Sequence, residues 1–220
     1  MFRVKICGIK TVEDALMASD AGADALGLNF YQHSPRCVSV EDAVRIAEAV
    51  PAEICRVGVF VNERADVIRS VVERVGLDWI QLHGDEPPQF LDHFSDIPLI
   101  RAFRCRDVGW EPIQSYLKQC CTGSVQPAAI LLDAYAANAY GGTGHQLDWD
   151  NVARRQRSIG EIPTLLAGGL NVENVGSAIS IARPTGVDVA SGVEAEPGIK
   201  SKELVTRFIA ASRKAFDETR

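Results

Sequence analysis

Lys5-Ile6-Cys7-Gly8-Ile9 ends a short apolar run on a thiol and a glycine. A few apolar residues that stop abruptly at a small or polar group read as a buried strand whose end opens into a loop. The same punctuation recurs further along the chain. Ile130-Leu131-Leu132 stops on Asp133, Leu165-Leu166-Ala167 stops on Gly168-Gly169, and Val187-Asp188-Val189-Ala190 stops on Ser191-Gly192. Longer amphipathic stretches separate these runs, and that alternation is the strongest fold signal in the sequence.

The spacing predicts strands over 2–7, 24–29, 55–60, 78–82, 98–103, 129–133, 163–167 and 186–190. It predicts helices near 12–21, 40–49, 64–75, 87–93, 111–121, 148–156, 172–181 and 201–216. Thr11, Ser39, Asn62, Asp148 and Asn171 each precede a helical run as N-cap residues, and Gly22 and Gly76 fall where helices should end. Strand–helix pairs repeated eight times in 220 residues predict an α/β chain folded as a closed (β/α)8 TIM barrel, with residues 1–220 forming one domain. An open doubly wound sheet has the same periodicity. No G-x-G-x-x-G follows the first strand, however, which weakens a dinucleotide-binding reading.

Composition narrows the function classes. Hydrophobic residues make up 46% and charged residues 24% of the chain, enough for a core without disulfide staples. The six cysteines contain no C-x-x-C pair and read as reduced thiols. A net charge of −6 without a Lys/Arg run argues against nucleic acid as a partner. It leaves room for an anionic small molecule held locally by loop amides and a few arginines. No charged-then-apolar leader and no apolar run near membrane-spanning length are present, so a soluble, cytoplasmic chain with no membrane partner is expected.

In a barrel, chemistry gathers at the C-terminal strand ends and the loops after them. The longest such loops are expected at 30–38 and 134–147. Cys7 closes strand 1. A buried strand cysteine is often a small hydrophobe, but Gly8 opens space above the thiol. As a thiolate it could act as a base if a cation lowered its pKa, with Lys5 the local candidate. Asp133 ends a strongly apolar strand where a carboxylate has no packing value. It reads either as a turn cap or as an acid kept partly dry. Gly168 and Gly169 after strand 7, with Ser191 and Gly192 after strand 8, form the loop pair that holds phosphate in many barrels, helped by a short extra helix expected within 193–198. Gly142, in Gly141-Gly142-Thr143-Gly144, is a weaker candidate for the same ligand. Arg36 in the strand-2 loop is either solvated or a bidentate partner for a carboxylate. Gln81 and His83 alternate on strand 4, and Asp188 sits on strand 8. Each is read either as a satisfied core polar group or as a ligand contact. His33, His93 and His145 make no metal-ligand spacing, so no metal site is expected.

Taken in order, Lys5-Ile6-Cys7-Gly8-Ile9, Ser34-Pro35-Arg36, Val59-Phe60-Val61-Asn62, Gln81-Leu82-His83-Gly84, Leu132-Asp133, Gly141-Gly142-Thr143-Gly144, Leu166-Ala167-Gly168-Gly169-Leu170 and Val187-Asp188-Val189-Ala190-Ser191-Gly192-Val193-Glu194 resemble the phosphoribosylanthranilate isomerase family over essentially the whole chain. The resemblance implies a (β/α)8 barrel of tryptophan biosynthesis that performs an Amadori rearrangement with no cofactor on a small phosphosugar–anthranilate substrate, as a monomer or homodimer. It implies Asp133 as general acid, Cys7 as general base, Arg36 as partner of the anthranilate carboxylate, and the loops after strands 7 and 8 as the phosphate site. Two positions depart from the family pattern: Ala190 stands where a serine often precedes Ser191, and Cys37 stands where a bulky residue is expected after Arg36. The competing readings are a Schiff-base aldolase, which would need a pocket lysine that strands 6 and 7 lack, a related aminoaldose-phosphate isomerase, which would want a carboxylate where Cys7 stands, and a non-catalytic phosphosugar-binding barrel. The latter would have no reason to keep both Cys7 and Asp133.

Overall fold

The computed structural model describes residues 1–105, 110–121, 123–134 and 147–219, with Arg157 through its backbone alone. Strands β1 (Val4–Cys7), β2 (Ala25–Asn29), β3 (Cys55–Phe60), β4 (Trp79–Leu82), β5 (Leu99–Cys105), β6 (Ala129–Ala134), β7 (Thr164–Leu166) and β8 (Gly186–Val189) pair in parallel and in sequence order. The ring closes where β1 meets β8, with Val4, Lys5 and Ile6 opposite Val187, Asp188 and Val189. That closure decides for the barrel over the open sheet.

Helices α1 (Val12–Asp20), α2 (Val40–Ala49), α3 (Ala65–Val75), α4 (Glu111–Cys120), α5 (Trp149–Arg155), α6 (Val175–Ala182) and α7 (Lys202–Glu218) cover the outside. The hydroxyls of Thr11 and Ser39 and the carboxylate of Asp148 accept the backbone N–H three residues on, as expected of N-caps. Gly76 ends α3 at φ +70, a left-handed conformation that suits glycine.

Four local expectations are corrected. The segment expected as a helix over 87–93 is a 3-10 helix, Pro88–Phe94. Its two buried residues, Leu91 and Phe94, lie three apart, which matches the tighter helix's three-residue period. Asn62 caps no helix. It sits at φ +52 and accepts the Asp85 N–H, joining the loops after β3 and β4, while α3 starts beyond Arg64. Asn171 holds a turn through the N–H groups of Glu173 and Asn174, so α6 begins later than expected, at Val175. The helix expected over 148–156 is α5 followed by a 3-10 turn, Gln156–Ile159.

Alternation along the strands separates two apolar layers. Val4, Ile6, Leu26, Leu28, Ile130, Leu132 and Val187 pack with the helices outside the sheet. Phe2, Ala25, Val57, Ile100, Ala129, Leu131 and Leu165 fill the lower barrel, floored by the Phe2 ring set edge-on against Trp79 at 5.7 Å. Above this plug the inward positions turn polar. Among the described residues no helix is long and apolar enough to cross a membrane.

Candidate active site

The polar mouth of the barrel is a cleft of about 680 Å³, part of it open to solvent. The described candidate acid, base and ligand contacts line it: Cys7 from β1, Arg36 from the loop after β2, Gln81 and His83 from β4, Asp133 from β6, Gly168 and Gly169 after β7, Asp188 on β8, and Ser191 and Gly192 beyond it. Gly142 and His145 lie outside the described residues, as does most of the long loop after β6. Among the described residues no three of His, Cys, Asp and Glu converge on a common point as a metal would require.

Cys7 stands opposite Gly27 in the β1–β2 register. A Cβ at Gly27 would lie 2.6 Å from the Cys7 sulfur and 3.0 Å from Lys5 Nζ, so the glycine provides the slot that lets thiol and ammonium sit side by side. Lys5 is fully buried and donates from Nζ to Asp188 Oδ1 at 2.8 Å. Burial pushes the Cys7 thiol above its ordinary pKa, and the Lys5 cation opposes this without overcoming it. The expected lowering by Lys5 is therefore reversed in net effect. Burial also works against the Lys5 ammonium, but Asp188 and Cys7 outweigh it and hold the amine's pKa above its usual range. At rest this wall is a Lys5–Asp188 ion pair beside a protonated thiol.

Across the mouth, Gln81 Nε2 and His83 Nδ1 are 2.9 Å apart. His83 Nε2 lies 3.3 Å from Asp133 Oδ2 but is not aligned for a hydrogen bond. Asp133 is 4% exposed at the end of a strand that is buried throughout. Gly168, at φ +81, lies close behind it. A Cβ there would come within 2.2 Å of the Ala134 nitrogen and 2.8 Å of Asp133 Oδ1, so only glycine lets the β7 loop approach the carboxyl this closely.

The Gly168-Gly169 and Ser191-Gly192 loops press against one another. A Cβ on Gly192 would lie 1.9 Å from the Leu170 carbonyl oxygen. Asn174 stiffens the first loop by donating to Gly169 O at 2.9 Å and accepting the Asn171 N–H at 2.8 Å. The short helical turn expected within 193–198 lies earlier, as a 3-10 turn over Ser191–Val193 that reaches only the first residue of that span, and the chain then forms an antiparallel hairpin of β9 (Glu194–Glu196) and β10 (Ile199–Lys200).

That hairpin reaches across to Arg36. The Arg36 stem lies over Gly8, whose own Cβ would be 2.7 Å from Arg36 Cδ, and the Arg36 N–H donates to Ser34 Oγ at 3.1 Å. Its Nε and Nη2 donate to the two oxygens of Glu194 at 2.8 and 2.7 Å. The bidentate edge expected to face a ligand carboxylate is thus held by an internal one. Lys200 Nζ donates to the same Glu194 at 2.8 Å and to the Ala190 carbonyl at 3.0 Å. The sequence reading missed Lys200 altogether and took Glu194 only as the end of a strand-8 motif. A lysine in a two-residue strand carries no mark of burial, which comes from its bonds to Glu194 and the Ala190 carbonyl once the hairpin has formed.

The family model for N-(5'-phosphoribosyl)anthranilate (PRA) isomerase matches residues 4–211. The N-(5'-phosphoribosyl)anthranilate isomerase of Geobacter sulfurreducens is 44% identical over 214 residues, covering 97% of this chain and 99% of its own. The crystal structure of phosphoribosyl anthranilate isomerase from Thermotoga maritima superposes with a TM-score of 0.86 at 39% identity, over 97% of this chain and all of that one. A crystal structure of a phosphoribosyl anthranilate isomerase in complex with reduced 1-(o-carboxyphenylamino)-1-deoxyribulose 5-phosphate gives 0.83 at the same identity and coverage. A third, of mutually generated monomers of the dimeric phosphoribosylanthranilate isomerase from Thermotoga maritima, gives 0.80 at 38% identity, again over 97% of this chain and all of that one.

Proposed function

The chain belongs to the N-(5'-phosphoribosyl)anthranilate isomerase family, and from that premise we propose how its own residues divide the work. The protein is an isomerase of tryptophan biosynthesis that converts N-(5'-phosphoribosyl)anthranilate to 1-(2-carboxyphenylamino)-1-deoxyribulose 5-phosphate. In our reading Asp133 gives a proton to the furanose ring oxygen. The C1–O bond breaks toward that oxygen, and the nitrogen lone pair closes a Schiff base at C1. Cys7, as thiolate, then takes the C2 proton. The C2–H electron pair moves into the C1–C2 bond as the C1=N π pair returns to nitrogen, giving an enolamine, which tautomerises to the ketone. Because burial favours the thiol, the active form is the fraction in which Cys7 has lost its proton, and the Lys5 cation enlarges that fraction.

Arg36 receives the anthranilate carboxylate. The Gly168, Gly169, Ser191 and Gly192 backbone, with Gly142, receives the phosphate. Gln81, His83 and Asp188 contact the substrate between these two anion sites. The proposal treats residues 1–220 as one domain, a monomer or homodimer working in the cytoplasm on this small molecule, with no cofactor, no metal and no nucleic-acid partner.

One observation carries the reading. Cys7 and Asp133, both buried at strand ends, line one cleft with the arginine and the two glycine loops. Single-turnover reaction of C2-deuterated substrate tests it. The wild type should show a primary isotope effect, Cys7→Ala should be slow and keep it, and Asp133→Asn should be slow and lose it because ring opening then limits the rate. An isotope effect of full size in Asp133→Asn would remove Asp133 from the ring-opening step.

A further inference from the structure

We propose that Glu194 is the positioning residue for recognition of the substrate carboxylate: it fixes the guanidinium plane of Arg36 and, through Lys200, ties that plane to the phosphate loop. The proposal rests on the reading of Arg36 and the glycine loops given above, and it adds a residue that touches neither substrate anion.

The geometry singles Glu194 out in three ways. An arginine at a pocket mouth has a long, rotamer-rich side chain, and holding it in one pose costs conformational entropy unless contacts fix it in advance. The Arg36 side chain has two such contacts: the Gly8 backbone under its stem and Glu194 on its head. Of these two, Glu194 is the one that bonds the guanidinium. It engages Nε and Nη2, two of the five N–H donors, so the fork's other edge, between Nη1 and Nη2, keeps a fixed plane for a second carboxylate. Next, the contact is dry. The side chains of Arg36, Glu194 and Lys200 are 12%, 4% and 0% exposed, so these bonds persist where surface ion pairs would not. Burial alone would raise the Glu194 carboxyl, but the bonds from Arg36 and Lys200 more than reverse this and hold it ionised below its usual range. Lastly, the triad is built into the phosphate loop. Glu194 directly follows the Ser191–Val193 turn, and Lys200 Nζ bonds the carbonyl of Ala190, which directly precedes it. The two anion sites are therefore held at a fixed separation, which selects ligands carrying a carboxylate and a phosphate at that span.

The test is calorimetric binding of two probes: reduced 1-(2-carboxyphenylamino)-1-deoxyribulose 5-phosphate and its analogue lacking the ring carboxylate. They are compared on wild type, Arg36→Ala, Glu194→Gln and Glu194→Asp. Wild type should prefer the carboxylated probe, and Arg36→Ala should lose that preference. Glu194→Gln should lose about tenfold or more of it, the size of one charged contact, while binding the carboxylate-free probe as wild type does. Glu194→Asp, which keeps the charge and retracts it, should fall between, and it serves if Glu194→Gln does not fold. In turnover, Glu194→Gln should raise KM far more than it lowers kcat. Equal weakening of both probes would mean a structural role only, and an unchanged or larger preference would mean that Glu194 does not orient Arg36. Either result overturns the inference. A wild type without carboxylate preference would instead defeat the Arg36 reading beneath it.

Discussion

Cys7 shows how residue-scale electrostatics differs from what sequence neighbours suggest. Lys5 stands two positions away on the same strand face and reads as the cation that activates the thiol. In the fold its ammonium is committed to Asp188, 183 positions distant, and desolvation dominates the thiol. The sign follows directly: a thiol whose pKa is raised keeps its proton through the neutral range and loses it only above its ordinary value. The absorbance of wild type minus Cys7→Ala at the thiolate wavelength should therefore be flat at neutral pH and rise only above roughly pH 8.5. A thiolate signal from Cys7 at pH 7 would contradict the burial argument. Asp133 was legible in the sequence because a carboxylate ending an apolar run has no packing value, and Cys7 because Gly8 opens space above a thiol that could otherwise be a small hydrophobe. Their environments were not, since burial and distant partners exist only after folding.

At the scale of elements, the ladder of strands and most helices follow from period and caps, and α2 begins and ends where its pattern says. The misread segments are those whose polar side chains serve a neighbouring loop. That holds for Asn62, which joins two βα loops, and for Asn171, which makes a turn, since a cap-type residue announces both uses equally well. The segments over 88–94 and 156–159 differ only in winding as 3-10 helices. The hairpin carrying Glu194 and Lys200 was invisible for a related reason: strands of three and two residues give no readable alternation. Glycines separate structural from functional elements by experiment. Gly76→Ala forces a left-handed Cβ with no atom nearer than 3.9 Å, so it should cost about 1–2 kcal/mol in urea unfolding and leave turnover unchanged. Gly192→Ala must push the β8 loop off the Leu170 carbonyl. It should weaken binding of inorganic phosphate as well as lower the melting temperature. Normal phosphate affinity in a folded Gly192→Ala would separate that loop from the phosphate site.

The whole molecule is a ring, and the ring closes on a buried ion pair. Periodicity gives eight strand–helix units but does not encode whether the first strand meets the last; the β1–β8 ladder settles it, and Lys5–Asp188 spans that seam. Breaking the pair on one side leaves an uncompensated charge in the interior. Lys5→Met should therefore destabilise the barrel by about 3–5 kcal/mol, whereas Lys5→Met with Asp188→Leu should recover most of it, as urea melts would show. Equal losses in the single and double variants would mean the seam depends on packing rather than on charge balance. Across the mouth of this ring the proposed base on β1 faces the proposed acid on β6, and turnover measures both. Loss of anthranilate fluorescence from freshly generated phosphoribosylanthranilate should be rapid with the wild type. It should be at least about a hundredfold slower with Cys7→Ala and with Asp133→Asn, each still binding the reduced product analogue. Near-normal decay with either folded variant would contradict the division of proton transfer between Cys7 and Asp133.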